Sequence, residues 1–316
     1  MRAPNFWQHR GAIARLLAPL GTLYGMSVAW KASYASPYHA TMPVLCVGNL
    51  TAGGSGKTPV AIAIAQMLQA RESKVVFLTR GYGGKEHGPA RVNPHHDARL
   101  MGDEALLLAR TAPTLVSRDR ALGGALAGDE KADVIVMDDG HQNFSLKKDI
   151  SLVVVDGAGG IGNGMVLPAG PLREPVAQGL RRADAVIIMG AGNPDLVDYG
   201  GPVLRAWLEP LPHDFAGRKV FAFAGIGRPQ KFFDTLKAVG AFVEDTESFA
   251  DHYFYQADDL AGLRARAQAK GVQLVTTEKD LVRIEPAQRT GIAALAVRAR
   301  FENEAALQAI LDRLFA

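Results

Sequence analysis

From residue 43 to residue 190 the chain alternates short apolar runs with segments of helical spacing. "PVLCVG" (43–48) reads as a buried strand, and "TPVAIAIAQMLQA" (58–70) as a helix with Pro59 in its first turn, where proline is tolerated. "KVVFLTR" (74–80) is the next strand and "GYGGKEHGPARVNPHHDARLM" a long loop; "GDEALLLARTA" (102–112) reads as a helix with acids in its first turn. "TLVS", "ADVIVMDDG", "ISLVVVD" and "ADAVIIMG" add strands without strict apolar–polar alternation. Such runs predict a mostly parallel sheet covered on both faces. After "GNPDLVDYGG" (192–201) the order changes. "PVLRAWLEP" (202–210) and "IAALAVRARFE" (292–302) read as two strands of a linker or a sheet edge. Between them lies a smaller α/β set: "KVFAFAGIG", a helix at "PQKFFDTLKAVG", a helix at "ADDLAGLRARAQAKG" and "VQLVTTEKD". "ENEAALQAILDRLF" is a terminal amphipathic helix. The expectation is an α/β protein with a first lobe over 1–201, a second over 202–316 and a cleft between them.

The first forty residues break this rhythm. Ile13, Leu16, Leu17, Leu20, Leu23 and Tyr24 follow helical spacing, flanked by Arg10 and Arg15 and bracketed by Trp7 and Trp30. The uncharged stretch between Arg15 and Lys31 holds 15 residues, with Pro19, Gly21 and Gly25 inside it. A membrane span needs about 20 apolar residues. Cleavage as a signal peptide would carry the rest of the chain into a compartment poor in nucleoside triphosphates. An interfacial amphipathic helix and a helix packed on the domain remain, and the two are compatible. Charge sharpens this reading. The net charge is only +3, but the first acid is Glu72, and before it stand Arg2, Arg10, Arg15, Lys31, Lys57 and Arg71. A basic amino-terminal end suits an anionic partner: a membrane surface, nucleic acid or phosphates. With 316 residues, 48% of them hydrophobic and 21% charged, the chain is a folded one of about two domains. Its single cysteine, Cys46, reads as a buried strand residue and excludes an internal disulfide framework or a cysteine-based zinc site.

The candidate chemistry begins at "GNLTAGGSGKTP" (48–59), a near match to G-x-x-x-x-G-K-[ST] with Thr51 where the first glycine is usual. It follows a predicted strand and opens a helix, the setting in which backbone N–H groups hold phosphates. Lys57 would reach the β- and γ-phosphates and Thr58 would ligate Mg²⁺. "ADVIVMDDGHQ" (132–142) supplies Asp138 and Asp139 at a strand end, the acidic partner that a phosphate loop needs; a D-D-G sequence also makes turns. "GDE" (102–104) reads as a helix cap, or, near phosphates, as a proton acceptor at Asp103 and a Mg²⁺ ligand at Glu104. His252 in "FADHYF" is either structural or, facing the cleft, a partner that tunes Asp103. His95 and His96 read as solvated.

Taken together, "GNLTAGGSGKTP", "LTRGYGG", "GDEALLLA", "DDGHQ", "LPAGPLREP", "FAGIGRPQKFF", "FADHY" and "TTEKD" resemble the tetraacyldisaccharide 4'-kinases, and Thr51 belongs to that pattern. The stretches run in order from 48 to 280. The resemblance implies two α/β/α lobes, the first a P-loop NTPase-like, mostly parallel sheet, joined by a two-stranded linker. It implies transfer of the ATP γ-phosphate to the 4'-hydroxyl of a tetraacylated glucosamine disaccharide 1-phosphate in lipid A biosynthesis. It further implies a peripheral enzyme at the cytoplasmic face of the inner membrane, with ATP and Mg²⁺ as cofactors and no nucleic acid as partner. By resemblance, Asp103 is the acid/base and His252 its partner, and Arg173 of "PLREP" meets transition-state charge beside Lys57. The implied nucleotide site takes in Thr51, Ala52, Gly53, Gly54, Ser55, Gly56, Lys57, Thr58, Asp138, Asp139 and Gln142, with Thr58, Glu104 and Asp138 toward metal. Ala105 departs from the pattern, where proline is expected. Tyr253, Phe254 and Tyr255 are open to acyl chains or to core packing, and Arg118 and Arg120 to a substrate 1-phosphate or to solvent.

Two other readings stand beside this one. A soluble P-loop ATPase or GTPase acting as a switch or metallochaperone fits the phosphate loop alone; against it, the only stretch like the guanine-reading N-K-x-D is "TEKD" (277–280), with Thr277 in place of Asn and in the second lobe. A nucleic-acid-dependent ATPase fits the basic end, but no aromatic-and-basic binding motif follows.

Overall fold

The computed structural model describes residues 4–196 and 199–316. A long helix, α1 (Ala12–Ser33), precedes the alternation β1 (Val44–Gly48), α2 (Lys57–Gln69), β2 (Val75–Thr79), β3 (Ala90–Arg91), α3 (Ala98–Met101), α4 (Asp103–Leu108), β4 (Thr114–Val116), α5 (Arg120–Asp129), β5 (Val134–Asp138), β6 (Ile150–Asp156), α6 (Val176–Leu180), β7 (Ala185–Met189) and β8 (Val203–Pro210). The second set is β9 (Lys219–Ala224), α7 (Pro229–Ala238), β10 (Phe242–Ser248), α8 (Ala257–Lys270), β11 (Gln273–Thr277), α9 (Glu278–Leu281) and β12 (Ile292–Leu295). The chain closes with β13 (Val297–Phe301) and α10 (Glu304–Asp312).

Nine strands form one sheet in the order β13-β8-β7-β6-β1-β5-β2-β4-β3, and four form another, β10-β9-β11-β12. In the large sheet only the outermost pairs, β3 with β4 and β13 with β8, are antiparallel. Its central strands are apolar on both faces because both are covered. Leu45 and Val47 of β1 point to the side packed by α2 and by Leu307 and Leu311 of α10, whereas Val44 and Cys46 point to the side that holds Leu78, Met137 and Leu146. Cys46 is fully buried, and burial pushes its thiol up. The predicted strand 292–302 is two strands: β12 completes the small sheet in parallel with β11, and after Ala296 the chain re-enters the large sheet, where Val297–Phe301 pairs with Pro210–Ala206. The two-stranded connection is therefore the edge of the large sheet.

Helix α1 shows two faces. Ala14, Gly21 and Gly25 are buried, and a β-carbon on Gly21 would sit 2.6 Å from the Val166 carbonyl oxygen. On the outside, Leu16 is 80% exposed, and Ile13, Leu20, Leu23, Met26 and Trp30 are exposed with it. The helix thus packs through its small residues and leaves Leu16, Leu20 and Leu23 uncovered, with Leu17 half-buried. Spanning 22 residues, α1 is long and apolar enough to cross a membrane, since the helix runs past the charged residues that bound its uncharged centre. The 163–175 segment underneath is tied to the chain start: the Asn163 amide donates to Phe6 and Ala169 carbonyls, and Trp7 Nε1 donates to Pro168.

Candidate active site

The phosphate loop leaves the carboxyl end of central strand β1 and enters α2 through Gly56, which has φ 88°. Gly53, with φ 116°, supplies the turn that Thr51 does not, and a β-carbon there or on Gly54 would meet nothing, so the loop's concave side is open. The opposite side is braced. Thr51 bridges Leu172, Ala52 N–H donates to the Pro171 carbonyl, and the buried Asn49 amide donates to Thr51 O and Ser55 Oγ. Gln142 belongs to this brace: its amide donates to Asn49 O at 2.8 Å and to Glu174 Oε1 at 2.9 Å. Both hydrogen bonds face the back of the loop and tie it to the buried Glu174. Glu174, fully buried beside Arg173, is held by Arg182.

At the loop's front, Thr58 Oγ1 donates to Asp138 Oδ2 at 3.0 Å. Asp139 accepts from Arg173 Nη1 at 2.7 Å and lies 3.7 Å from Lys57 Nζ. The two adjacent acids therefore face different partners. Asp138 is pushed up to about 7 by burial and by the charge of Glu104, against the pull of Lys57. Burial also raises Asp139, but Lys57 and Arg173 overcome it and hold the carboxyl below its usual range. Asp138 Oδ1 is buried without a hydrogen-bond partner. That orphaned carboxylate oxygen, with the Thr58 hydroxyl next to it and the Glu104 charge acting on it, is a hard-oxygen donor set suited to Mg²⁺, which takes one or two protein oxygens and completes its shell with phosphates and water. No cluster of three or more His, Cys, Asp or Glu side chains suited to a metal occurs among the described residues.

Asp103 and His252, 149 positions apart, meet across the lobes: His252 Nδ1 lies 2.9 Å from Asp103 Oδ2. Asp103 is 2% exposed, starts α4 and does not cap it; the cap position is Gly102, with φ 87°. Asp103 Oδ1 accepts only from the Glu104 N–H among the described residues. Burial raises its carboxyl, but the His252 hydrogen bond and the charges of Lys279 and Arg283 outweigh this and hold it well below the usual carboxylate range. The His252 side chain is 25% exposed, and the ring rests 5.2 Å from Tyr82. Its backbone is left-handed at φ 60°, a conformation costing a non-glycine residue on the order of 1 kcal/mol. Glu104 is paired at 3.0 Å with Lys279 of the second lobe.

Arg283 and Lys279 were not singled out in the sequence. Arg283 has one local signal, its place three residues after Asp280, a spacing that puts both on one side of a helical turn; Lys279 has none, since its partner Glu104 is 175 positions away. "TEKD" itself is structural: Asp280 is buried and caps its own turn through Thr277. Arg120 is neither solvated nor free for a substrate phosphate. It is 1% exposed and donates to the Ser117 carbonyl, while Arg118 is exposed. Tyr255 is core, with its hydroxyl on Asp280; Phe254 lies under Arg99 of the first lobe.

This arrangement can hold a triphosphate at one lobe and offer a carboxylate–imidazole pair beside it from the seam of both. Comparison with known proteins places the chain in a family. The family model described as Tetraacyldisaccharide-1-P 4'-kinase matches residues 13–316. The tetraacyldisaccharide 4'-kinase of Paramagnetospirillum magneticum is 50% identical over 99% of both chains, and that of Rhodospirillum rubrum 49% identical over 99% of this chain and 98% of its own. The crystal structure of LpxK from Aquifex aeolicus in complex with ATP superposes with a TM-score of 0.79 at 28% identity, covering 96% of this chain and all of that one. The chain belongs to the tetraacyldisaccharide-1-phosphate 4'-kinase family.

Proposed function

We propose that the protein transfers the γ-phosphate of ATP to the 4'-hydroxyl of a tetraacylated glucosamine disaccharide 1-phosphate, in lipid A biosynthesis. The ATP phosphates lie on the 51–58 loop, with Lys57 and Arg173 neutralising charge that spreads over the transferred group. Thr58, Asp138 and Glu104 would hold Mg²⁺, which would supply positive charge to the phosphate oxygens. Asp103 and His252 act as one base: the carboxylate fixes the imidazole tautomer with Nδ1–H toward it, and the pair takes up the proton of the attacking hydroxyl. Lys57 and Arg173 share Asp139, which keeps both cations beside the loop before a nucleotide arrives.

Acyl chains of the substrate and the uncovered leucines of α1 share one chemistry. The exposed face of α1, with Arg10 and Arg15 near its start, supports peripheral docking at the cytoplasmic face of the inner membrane.

The observation that carries this reading is the 2.9 Å contact between Asp103 and His252 next to a phosphate loop. A nucleotide switch positions a water and has no need of a base assembled from two lobes. The test is ATP consumption with and without detergent-dispersed tetraacyl disaccharide 1-phosphate, for the wild type and Asp103→Ala. Lipid-dependent turnover that collapses in the variant is expected. Hydrolysis indifferent to both lipid and Asp103 would overturn the kinase reading in favour of a switch ATPase.

A further inference from the structure

Asp103 Oδ2 has a second donor group besides His252. Arg283 Nε donates to it at 2.6 Å, and Arg283 Nη2 lies 2.5 Å away as an ion-pair contact without an aligned hydrogen bond. The third nitrogen, Nη1, donates to the Gly225 carbonyl at 2.6 Å and to Asp280 Oδ1 at 2.9 Å. The Gly225 carbonyl also accepts the backbone N–H of His252 at 3.1 Å. One guanidinium therefore links the two members of the pair: it holds the Asp103 carboxylate directly, and His252 through the carbonyl that accepts its backbone N–H.

The guanidinium is itself fixed. Its side chain is fully buried, and Asp280, equally buried, accepts from Gly225 N–H, Tyr255 Oη and Thr277 Oγ1 as well as from Arg283. Asp280 thus ties Gly225 and Arg283 into one unit of the second lobe. A planar fork is required for this geometry, because a lysine ammonium could replace the charge but not reach Asp103 and Gly225 together. With His252 and Arg283 filling Oδ2, the lone pairs of Oδ1 not used by the Glu104 N–H remain for an acceptor hydroxyl.

We propose that Arg283 is a positioning residue for the phosphotransfer: it holds the Asp103 carboxylate and the His252 backbone in register across the lobes, and Asp280 is its anchor. This rests on the kinase reading above for its consequence in rate, but not for its geometry.

The experiment compares the full-length wild type with Arg283→Lys and Arg283→Ala. Arg283→Lys keeps the charge and is expected to fold, with a Tm lowered by the hydrogen bonds that an ammonium cannot replace, so turnover is compared well below that Tm. Its kcat should fall about 10- to 100-fold, as misplacement of a reacting group by about 1 Å does, with KM for ATP within twofold. Arg283→Ala should lose more and regain part of it on addition of guanidinium ion but not of sodium. A merely structural role predicts losses that follow Tm and no such rescue. Wild-type kcat in Arg283→Lys would overturn the proposal. A second readout needs no turnover: the low-field Nδ1 proton of His252, identified by its loss in His252→Ala, should shift or broaden in Arg283→Lys. An unmoved resonance also overturns the proposal. A wild type that turns over no lipid while this resonance moves counts against the kinase reading and leaves the positioning network standing.

Discussion

His141, two residues after Asp139, gives the sharpest test of how the core behind the phosphate loop is built. Its ring is 1% exposed. Nε2 lies 3.0 Å from the Gly179 carbonyl, so that nitrogen carries the proton, and Nδ1, 2.8 Å from Ser151 Oγ, accepts the hydroxyl. The neutral ring is fully satisfied, and a second proton would be buried near Arg182 and Lys148. Burial and those two charges push its pKa from 6.5 down to about 3. Between these values the unfolded chain binds a proton that the native state refuses, so this group's contribution to stability is lost as pH falls below the unfolded value. From pH 7 to pH 5 the loss is about 2 kcal/mol. Asp138, pushed up to about 7, has the opposite sign, because the native state takes up a proton there before the unfolded chain does. The wild type's own slope therefore mixes the two, and the comparison with His141→Gln isolates the histidine. Urea unfolding of both proteins at pH 7, 6 and 5 should show the variant gaining about 2 kcal/mol on the wild type across that range. A stability difference that stays constant from pH 7 to pH 5 would refute the reasoning, as would an NMR titration of the His141 ring near 6.5.

Three other outcomes are expected. Thr58→Val, which removes the donor to Asp138 and leaves the helix start unchanged in shape, should lower kcat on the order of 10²-fold with little change in Tm; a Mg²⁺ titration of turnover checks it. Asp103→Asn should cut lipid phosphorylation by about 10²- to 10⁴-fold while ATP affinity, measured by calorimetry, stays within a few-fold, because Asp103 belongs to the acceptor side of the site. Replacing both Leu16 and Leu23 by Asp should abolish flotation with anionic vesicles and leave the far-UV spectrum and Tm unaltered, since both side chains are exposed; retained flotation would count against α1 as the docking surface.

The chemistry was more legible in the sequence than the architecture around it. Phosphate-binding and strand-end motifs are local: Lys57, Thr58, Asp138 and Asp139 each sit within a few residues of the strand or helix that presents them, so the run of residues nearly specifies the geometry. Helix α5 has little local signal because two of the ten residues of "RALGGALAGD" in mid-helix are Gly123 and Gly124, which let Leu78 and Leu146 approach closely; β-carbons at those positions would sit 2.5 and 2.9 Å from them. Strand β10 was missed because "FVEDTES" is a half-solvated edge without an apolar run. The division of 292–302 between two sheets depends on where the small sheet ends, which no local pattern encodes. Arg120 and Arg283 look like ordinary surface arginines until the fold buries them, and their partners lie on the backbone or on distant elements.

The small-residue face of α1 has a consequence for distance. Gly21 lies against the Val166 backbone and Gly25 against Pro175, and the same segment carries Arg173 to the phosphate loop. The helix cannot roll about its axis without driving a bulkier side chain into that backbone. Its leucine side is therefore held at a fixed stand-off from the reacting centre, and any surface it rests on acts as a ruler. On the docking proposed above, an acceptor hydroxyl would be in reach only when its headgroup rises from that surface to the height of the cleft, so the length of the sugar above the acyl chains would be a selected quantity, measured by a glycine packed on a loop.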